Sequence, residues 1–260
     1  MLLKSEFIEG PKSLKLAHTG LNGVGLVCSS GTSSNLTVSL SLPNSHAPKQ
    51  EAVKEIEYGI QQGGTSQENP NVSLDNDKLF DYYSNIIQSR TADVIDFEVM
   101  EEMHLLGIAG WLNHDFAINK KNEYNDSIIA LWKDSNGQKV VKNYKATTSP
   151  GTFEKYYNKK GDAHLIDGRY AYKRGTHNGY NALVQGEEFT VWRDKNKDGI
   201  RENDSLVETG YFGINLHAGG TGSKVKNWSA GCQVIWGGRE QESPFQTFMQ
   251  DVELLVSCLL

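Results

Sequence analysis

The sequence predicts an α+β protein that is mixed α/β up to Gly107 and mostly β after it. Two observations support this. Helix-spaced apolar residues occur in the first hundred residues, and short alternating apolar runs separated by turn signals dominate the rest. The 260 residues, 38 % of them hydrophobic, are enough to bury a core in one large domain or two small ones. We therefore predict an N-terminal accessory region at 1–107 and a second domain at 108–260.

Apolar spacing defines the predicted elements of the N-terminal region. Alternation of apolar and polar residues predicts half-buried strands, whereas apolar residues three and four positions apart predict helices. The Gly63-Gly64 pair would end the first helix. The strands are predicted around 24–28 and 36–42, and the helices over 52–60, over 79–87 and from 96 to about 104.

Strands dominate the second region, and a helix closes it. Segments 127–132 and 139–146 form a predicted hairpin, because an Asn-Gly turn signal lies between them. Further strands are predicted over 164–173, 182–185, 189–193 and 211–217. Ser243 as N-cap, Pro244 at the first helical position and Gln246 in an S-x-x-Q capping box predict the start of the C-terminal helix.

Charge and hydropathy exclude two classes of function. Lys and Arg number 26 against 32 Asp and Glu, which gives a net charge of −6, and no block of five like charges occurs. A general nucleic-acid binder carries a basic stripe, and this sequence has none. Its longest apolar run is shorter than the roughly 20 residues that span a bilayer. The start lacks a Sec-type signal pattern, so we expect synthesis in the cytoplasm without Sec export.

The three cysteines are too few for a disulfide scaffold and too scattered for a C-x-x-C metal site. Cys28 and Cys258 lie in apolar patterns and are predicted to be buried in the core. Cys232 lies instead in a polar, glycine-rich segment, fifteen positions after His217. A free thiol becomes a good nucleophile at neutral pH only beside a base or a positive charge, and histidine suits that task.

Ser229 and Gly231 precede this cysteine and complete the candidate site. A glycine lets the backbone approach a substrate carbonyl closely, and amides around Gly231 and Cys232 would then face the oxyanion that forms on attack. The structural alternative is a buried cysteine and a core histidine. The combination of these residues in one polar segment favours nucleophilic catalysis.

The pattern His217-x-Gly219 with Ser229-Ala-Gly-Cys232 resembles the signature of the L,D-transpeptidase catalytic domain, which has the YkuD-type fold. The hairpin of 128–146 and the loop that follows it to Thr152 are similar to the opening hairpin of that family. The resemblance covers about residues 125–240 and implies a mostly β YkuD-like catalytic domain after the accessory region.

The resemblance implies a role for each matched residue. Cys232 would be the acyl-accepting nucleophile and His217 the general base, with Ser229 supporting the site and Gly231 shaping the oxyanion pocket. Family members cleave the bond between the third-position diamino acid and the D-Ala of a peptidoglycan stem peptide, and they hold the stem as a cysteine thioester. The acceptor is another stem (3→3 cross-linking), a free D-amino acid (exchange) or water (L,D-carboxypeptidase).

Two positions depart from the family pattern. Ala230 stands where many members have His, and Val234 stands where many have Arg or Asn. An Arg there would suit a substrate carboxylate, so Trp228, Trp236, Arg239 and Lys226 become candidates for replacement contacts. A non-catalytic wall-binding module with a decayed site is the alternative function.

The missing export signal, together with a wall-type site, predicts action in the periplasm or cell wall by another route. An antibacterial toxin is one such case, such as a type VI secretion effector that reaches the wall of a target cell. An immunity protein or a component of the secretion machine would then be its partner. A phage-associated wall enzyme is another.

An acidic loop predicts a structural calcium site, although the reaction itself requires no cofactor. Asp194, Asn196, Asp198 and Gly199 match the first half of an EF-hand loop, and Glu202 or Asp204 would complete the ligands. The alternative is an acidic turn. An aromatic and basic cluster is a candidate lining for a stem-peptide groove; its members are Tyr170, Tyr172, Arg174, His177 and Tyr180.

Overall fold

The computed structural model describes Leu14–Lys15, Ser29–Ser30, Leu36–Thr37 and residues 75–89, 92, 94–100, 102–152, 158–166, 168, 170–201 and 204–257. This part of the chain is mostly β with two α-helices, α1 (Asn76–Gln88) and α2 (Pro244–Ser257). The predicted mostly β, α+β class is confirmed at this level. None of the helices within these ranges is both long and apolar enough to cross a membrane.

Fifteen strands, some of them only two residues long, make up the β part of these ranges. In chain order they are β1 (Leu14–Lys15), β2 (Ser29–Ser30), β3 (Leu36–Thr37), β4 (His104–Ile108), β5 (Trp111–Leu112), β6 (Asp115–Phe116), β7 (Asp126–Lys133), β8 (Lys139–Thr147), β9 (Asp162–Leu165), β10 (Ala171–His177), β11 (Tyr180–Gln185), β12 (Phe189–Asp194), β13 (Val207–Gly210), β14 (Leu216–Ala218) and β15 (Gln233–Ile235).

An eight-stranded mixed sheet forms the centre, in the order β1-β10-β11-β14-β15-β8-β7-β4. Its neighbours pair antiparallel except β14 and β15, which run parallel. A three-stranded sheet, β13-β12-β9, is separate from it, and β2-β3 and β5-β6 form two-stranded sheets. The parallel pair needs a long connection between its strands, and that connection carries the glycine-rich segment.

Both helices pack on this core through one apolar face. The predicted stripe of α1 is confirmed, because its five apolar residues at helical spacing are all buried. In α2 the apolar residues at helical spacing are also buried; they are Phe245, Phe248, Met249, Val252 and Leu255. Ser243 Oγ accepts from the backbone N–H of Gln246 at 3.3 Å, whereas the Gln246 side chain donates to Arg239 O. The predicted N-cap therefore forms, but the Gln246 side chain does not complete the capping box by bonding back to Ser243.

The predicted boundary at Gly107 falls inside β4. The buried residues of α1 and β4 belong to the same core cluster as those of β7, β12 and α2. The elements α1 and β4 therefore pack with those of the second region. The division into an accessory region at 1–107 and a catalytic domain at 108–260 stays a prediction.

The hairpin is confirmed as β7 and β8, with a turn at Asp134 in which the N–H of Gly137 donates to Asp134 O at 2.9 Å. The predicted short helix from 96 is wrong. The chain turns at 97–98 and enters β4 at His104, because the apolar run 105–108 is buried on both faces of a strand.

Two predicted strands differ in extent. The one over 164–173 is two separate strands, β9 and β10. The one over 211–217 begins only at Leu216, after Gly213 adopts a φ of +71°. The predicted helix over 52–60 and the burial of Cys28 and Cys258 lie outside the described residues.

Candidate active site

The parallel pair β14–β15 brings His217 and Cys232 together. Its register sets His217 opposite Val234, and the N–H of Gln233 donates to Asn215 O at 2.8 Å. Cys232 precedes Val234 by two residues, and side chains two residues apart along a strand point to the same face of the sheet. The side chains of Cys232 and His217 therefore lie on the same face. Residues fifteen positions apart in the sequence thereby become neighbours on one face.

Both side chains line one cavity of about 600 Å³. Gly231 and Ala230 also line it, whereas Ser229 is buried behind it. Of the four residues predicted to form the catalytic site, three therefore face a common cavity and the fourth supports it. The wall is completed from β9, β10 and β12 and the segment before β14; the residues involved include Ala163, His177, Arg193, Tyr211 and Phe212.

His217 is held with one ring nitrogen free. Its Nδ1 lies 2.8 Å from Ala218 O, which only accepts, so Nδ1 carries the proton and donates. Its Nε2 is buried and makes no hydrogen bond within the described part of the chain. Burial and the nearby His177 lower the pKa of His217 to about 3. At neutral pH, His217 is therefore an uncharged base with an available lone pair at Nε2.

A second imidazole lies against His217. The rings of His177 and His217 stack 3.9 Å apart at an angle of 7°. Asn215 orients His177, because its Nδ2 lies 3.0 Å from His177 Nδ1 while its Oδ1 accepts from the N–H of Gln185 at 3.2 Å. Burial and the charge of Arg239 lower the pKa of His177. Two neutral rings stack without the repulsion that two imidazolium ions would have.

The predicted aromatic and basic cluster lies only partly at the site. His177 lines the cavity, and the Tyr180 hydroxyl lies 3.3 Å from Nδ1 of His217. Tyr170 and Tyr172 are core residues, and Arg174 is exposed outside the cavity. Strand alternation explains this division, because successive side chains of β10 point to opposite faces.

The Cys232 thiol is uncharged in its surroundings. Its sulfur accepts from the backbone N–H of Asn215 at 3.4 Å and donates to Gly213 O at 3.6 Å. Burial raises the pKa of the thiol to about 11, although the Asn215 N–H opposes that shift. The resting pair at pH 7 is therefore a neutral thiol and a neutral imidazole.

The turn before Cys232 depends on Ser229 and Gly231. Ser229 Oγ donates to Cys232 O at 2.7 Å and accepts from the N–H of Gly231 at 3.1 Å. Gly231 has a φ of +143°, and a Cβ there would lie 2.7 Å from Ala163 O. The N–H of Gly231 is thus occupied, whereas that of Cys232 makes no hydrogen bond among the described residues. Of the two predicted oxyanion donors, only the Cys232 amide is available.

The loop that follows the β7–β8 hairpin supports the turn before Cys232. The N–H of Gly151 donates to Ser229 O at 2.8 Å, and a Cβ on Gly151 would overlap the carbonyl oxygen of Lys226. Lys226 opens the 3-10 helix Lys226–Trp228 that leads into Ser229. The loop after the hairpin and the turn before Cys232 therefore pack against each other.

The two departures from the family pattern have different surroundings. Val234 is buried in a small apolar cluster with Tyr124 and Val225, so no substrate contacts it. Ala230 lines the cavity. Of the four candidates for replacement contacts, only Trp228 lines the cavity. Arg239 packs over the Tyr180 ring, the Trp236 indole donates to Gly222 O, and Lys226 is exposed.

Two residues at the site, Arg193 in the cavity wall and Asn215 in the segment before β14, were not among the residues predicted for it. Asn215 joins the sulfur of Cys232 to the ring of His177 through its backbone and its side chain. Arg193 ends the strand predicted over 189–193, and it reaches the cavity only because β12 pairs with β9. A polar residue at the end of an apolar strand was the signal for Arg193, whereas Asn215 lies inside the strand predicted over 211–217 and had no such signal.

The acidic loop brings together three of the predicted carboxylates, with Asp204 in the place of its alternative Glu202. Oxygens of Asp194, Asp198 and Asp204 lie within 4.8 Å of one another. The Asn196 side chain donates to Asp198 Oδ2 at 2.8 Å, and Glu202 lies outside the described residues. The Asp194 carboxylate accepts the N–H of Asp198 and of Gly199, as a turn without metal also would. The calcium site stays a prediction.

Thermal denaturation tests the predicted calcium site. Calcium binding to the folded state alone should raise Tm by an amount that grows with its concentration. We expect Tm to be higher with millimolar CaCl2 than with EGTA, and Asp198→Asn to remove the difference. Asp134→Asn, at a turn far from the loop, is the control. Equal Tm values in CaCl2 and EGTA would show that the loop is an acidic turn that binds no calcium.

No family model, curated protein or solved structure matches this chain. The likeness to L,D-transpeptidases therefore rests on the residue pattern of the hairpin, His217, Ser229, Gly231 and Cys232. The assignment of function rests on what these residues do together.

Proposed function

We propose that the chain is a cysteine-dependent L,D-transpeptidase that acts on peptidoglycan stem tetrapeptides. One observation carries the proposal: His217, with a proton on Nδ1 and a free Nε2, lies on the same sheet face as the Cys232 thiol, and both line one cavity. A nucleophile, a base fixed by a third group and an unused amide beside the nucleophile together fit acyl transfer.

The first half-reaction makes a thioester. Nε2 of His217 takes the thiol proton while the Cys232 sulfur attacks the carbonyl of the third-position diamino acid. The carbonyl oxygen becomes an oxyanion and accepts a hydrogen bond from the free backbone N–H of Cys232. The C–N bond to D-Ala then breaks, His217 gives its proton to the leaving nitrogen, and D-Ala departs as an amine. The stem remains bound to the sulfur.

The second half-reaction reverses these roles. An acceptor amine or water loses a proton to Nε2 of His217 and attacks the thioester carbonyl. The C–S bond breaks, and the sulfur recovers the proton as a thiol. The buried Ala218 O accepts from Nδ1 throughout, so the imidazolium that forms in each half-reaction has a hydrogen-bond acceptor. The product identifies the acceptor: a 3→3 cross-link, an exchanged D-amino acid or a tripeptide.

The test uses purified protein and tetrapeptide muropeptides. We expect release of D-Ala, and a mass increase on the intact protein equal to the stem without D-Ala. Both should be absent in Cys232→Ala, which removes only the sulfur. Ser149→Ala, in the loop after the hairpin and outside the cavity lining, is the control and should retain activity. Binding of the muropeptide with no release of D-Ala by the native protein would favour a wall-binding module instead.

A further inference from the structure

Arg193 brings a buried positive charge to the cavity wall. It is the partner of Ala163 in the antiparallel pair β9–β12, so the two side chains share a face. Ala163 in turn contacts the nucleophile turn: its N–H donates to Ala230 O at 3.1 Å, and its carbonyl oxygen borders Gly231. Arg193 is therefore one strand away from the turn that presents Cys232, and only 6 % of its surface is exposed.

The guanidinium is held in place but is not fully used. Its Nε donates to Glu208 Oε2 at 2.7 Å, and its Cζ lies 4.8 Å from the centre of the Phe212 ring. Among the described residues, no hydrogen bond to its two terminal nitrogens is found. These nitrogens carry four N–H donors in a planar fork. A buried group with unused donors beside a cavity is prepared to bind an acceptor.

The local charge favours an anion. Glu208 forms ion pairs with both Arg193 and Lys160, so these three groups together carry a net charge of about +1. Asp162 also lines the cavity, but it neighbours Ala163 in β9 and its carboxylate belongs to the opposite face, where Lys197 Nζ lies 3.4 Å away. Of the cavity residues in the described ranges, Arg193 is the one Lys or Arg.

We propose that Arg193 binds the α-carboxylate of the leaving D-amino acid. The donor would then be a stem peptide that ends in a free carboxylate one residue after the scissile bond. This inference rests on the proposed function and adds the residue that would recognise the donor's C-terminal carboxylate. An arginine fork binds a carboxylate through two parallel hydrogen bonds, and the carboxylate of D-Ala is adjacent to the nitrogen that leaves Cys232's substrate carbonyl. Arg193 would supply the cation that Val234 does not.

Binding and turnover with two matched peptides test the proposal. The probes are a stem tetrapeptide with a free C-terminal carboxylate and the same peptide ending in D-alaninamide. In Cys232→Ala, which cannot turn over, we expect the acid to bind about 10- to 100-fold more tightly than the amide, in line with a charge-assisted hydrogen-bond pair. Cys232→Ala/Arg193→Gln should bind the two peptides equally. In the active protein, Arg193→Gln should lower kcat/KM for the acid by a similar factor and leave the amide unchanged.

The controls separate carboxylate binding from folding. Arg174→Gln removes an exposed arginine outside the cavity and should keep the preference for the acid. Arg193→Lys retains the charge without the fork, so it should fold and retain part of the preference. Equal losses on acid and amide in Arg193→Gln, or a native protein that treats both alike, would overturn the proposal while leaving Cys232-dependent turnover intact. An acid preference that depends on Arg193 without turnover would support this subsite and refute the proposed reaction.

Discussion

Replacement of His217 by Gln is expected to lower kcat/KM for the release of D-Ala by about 10²- to 10⁴-fold, the range that general-base catalysis supplies. The thiol of Cys232 has a pKa of about 11, so the reactive thiolate is scarce at neutral pH. Nε2 of His217, which makes no hydrogen bond among the described residues, is the base available in the same cavity. Glutamine keeps a side-chain N–H for Ala218 O but has no basic nitrogen, so the substitution removes proton transfer with little change in packing.

The pH dependence distinguishes this role from a structural one. The pKa of His217 is about 3, so the base is protonated and lost only below that value, and the thiol ionises only near pH 11. We therefore expect kcat/KM of the native protein to be flat between about pH 7 and 9. His217→Gln must rely on thiolate, so its residual activity should rise about tenfold per pH unit over that range.

Initial rates of D-Ala release between pH 7 and 9 measure these slopes for the native protein, for His217→Gln and for a control variant. His114→Gln removes a histidine outside the cavity, whose Nδ1 contacts the Tyr83 hydroxyl at 2.7 Å, and should keep native kinetics. A native profile that rises steeply from pH 7 to 9 would show that His217 is not the base. An unchanged rate in His217→Gln would do the same.

The proximity of His217 and Cys232 could be predicted because it depends on local chain geometry. His217 lies in the short strand β14, and Cys232 directly precedes β15, so a glycine-rich connection suffices to bring the two strands together in parallel. The hairpin was equally predictable from alternation and an Asn-Gly turn. The failed helix from 96 shows the limit of such reasoning, because a short apolar run fits a helix or a buried strand equally well.

The rest of the cavity depends on contacts between distant segments. His177 and Arg193 reach it from β10 and β12, and Gly151 in the loop after β8 holds Ser229 behind it; only the order of strands in two sheets places them there. Nothing in the spacing of a single strand fixes that order. The carboxylates of the acidic loop are different, because Asp194, Asp198 and Asp204 lie in one short segment and their spacing predicted that they could meet.

Replacement of Gly231 by Ala is expected to destabilise the fold by about 2 kcal/mol or more and to abolish most activity. A residue with a Cβ is strained at its φ of +143°, at a cost of order 1–3 kcal/mol. The new Cβ would also lie 2.7 Å from the backbone oxygen of Ala163, which belongs to a paired strand and moves only with β9. Relief of the contact requires a shift of the turn, and that shift displaces both the Cys232 sulfur and its N–H.

Gly137→Ala separates the two contributions. Gly137 also has a positive φ, +76°, but nothing lies within 4 Å of a Cβ built there. It should therefore lose only about 1 kcal/mol of unfolding free energy, through backbone strain, and keep full activity. Urea denaturation of both variants measures the difference. If Gly231→Ala unfolds at the same urea concentration as Gly137→Ala and stays active, the turn is not in close contact with β9. The position of Cys232 would then depend on the hydrogen bond from Ser229 Oγ to its carbonyl oxygen and on the contacts of its sulfur, and not on the approach to β9.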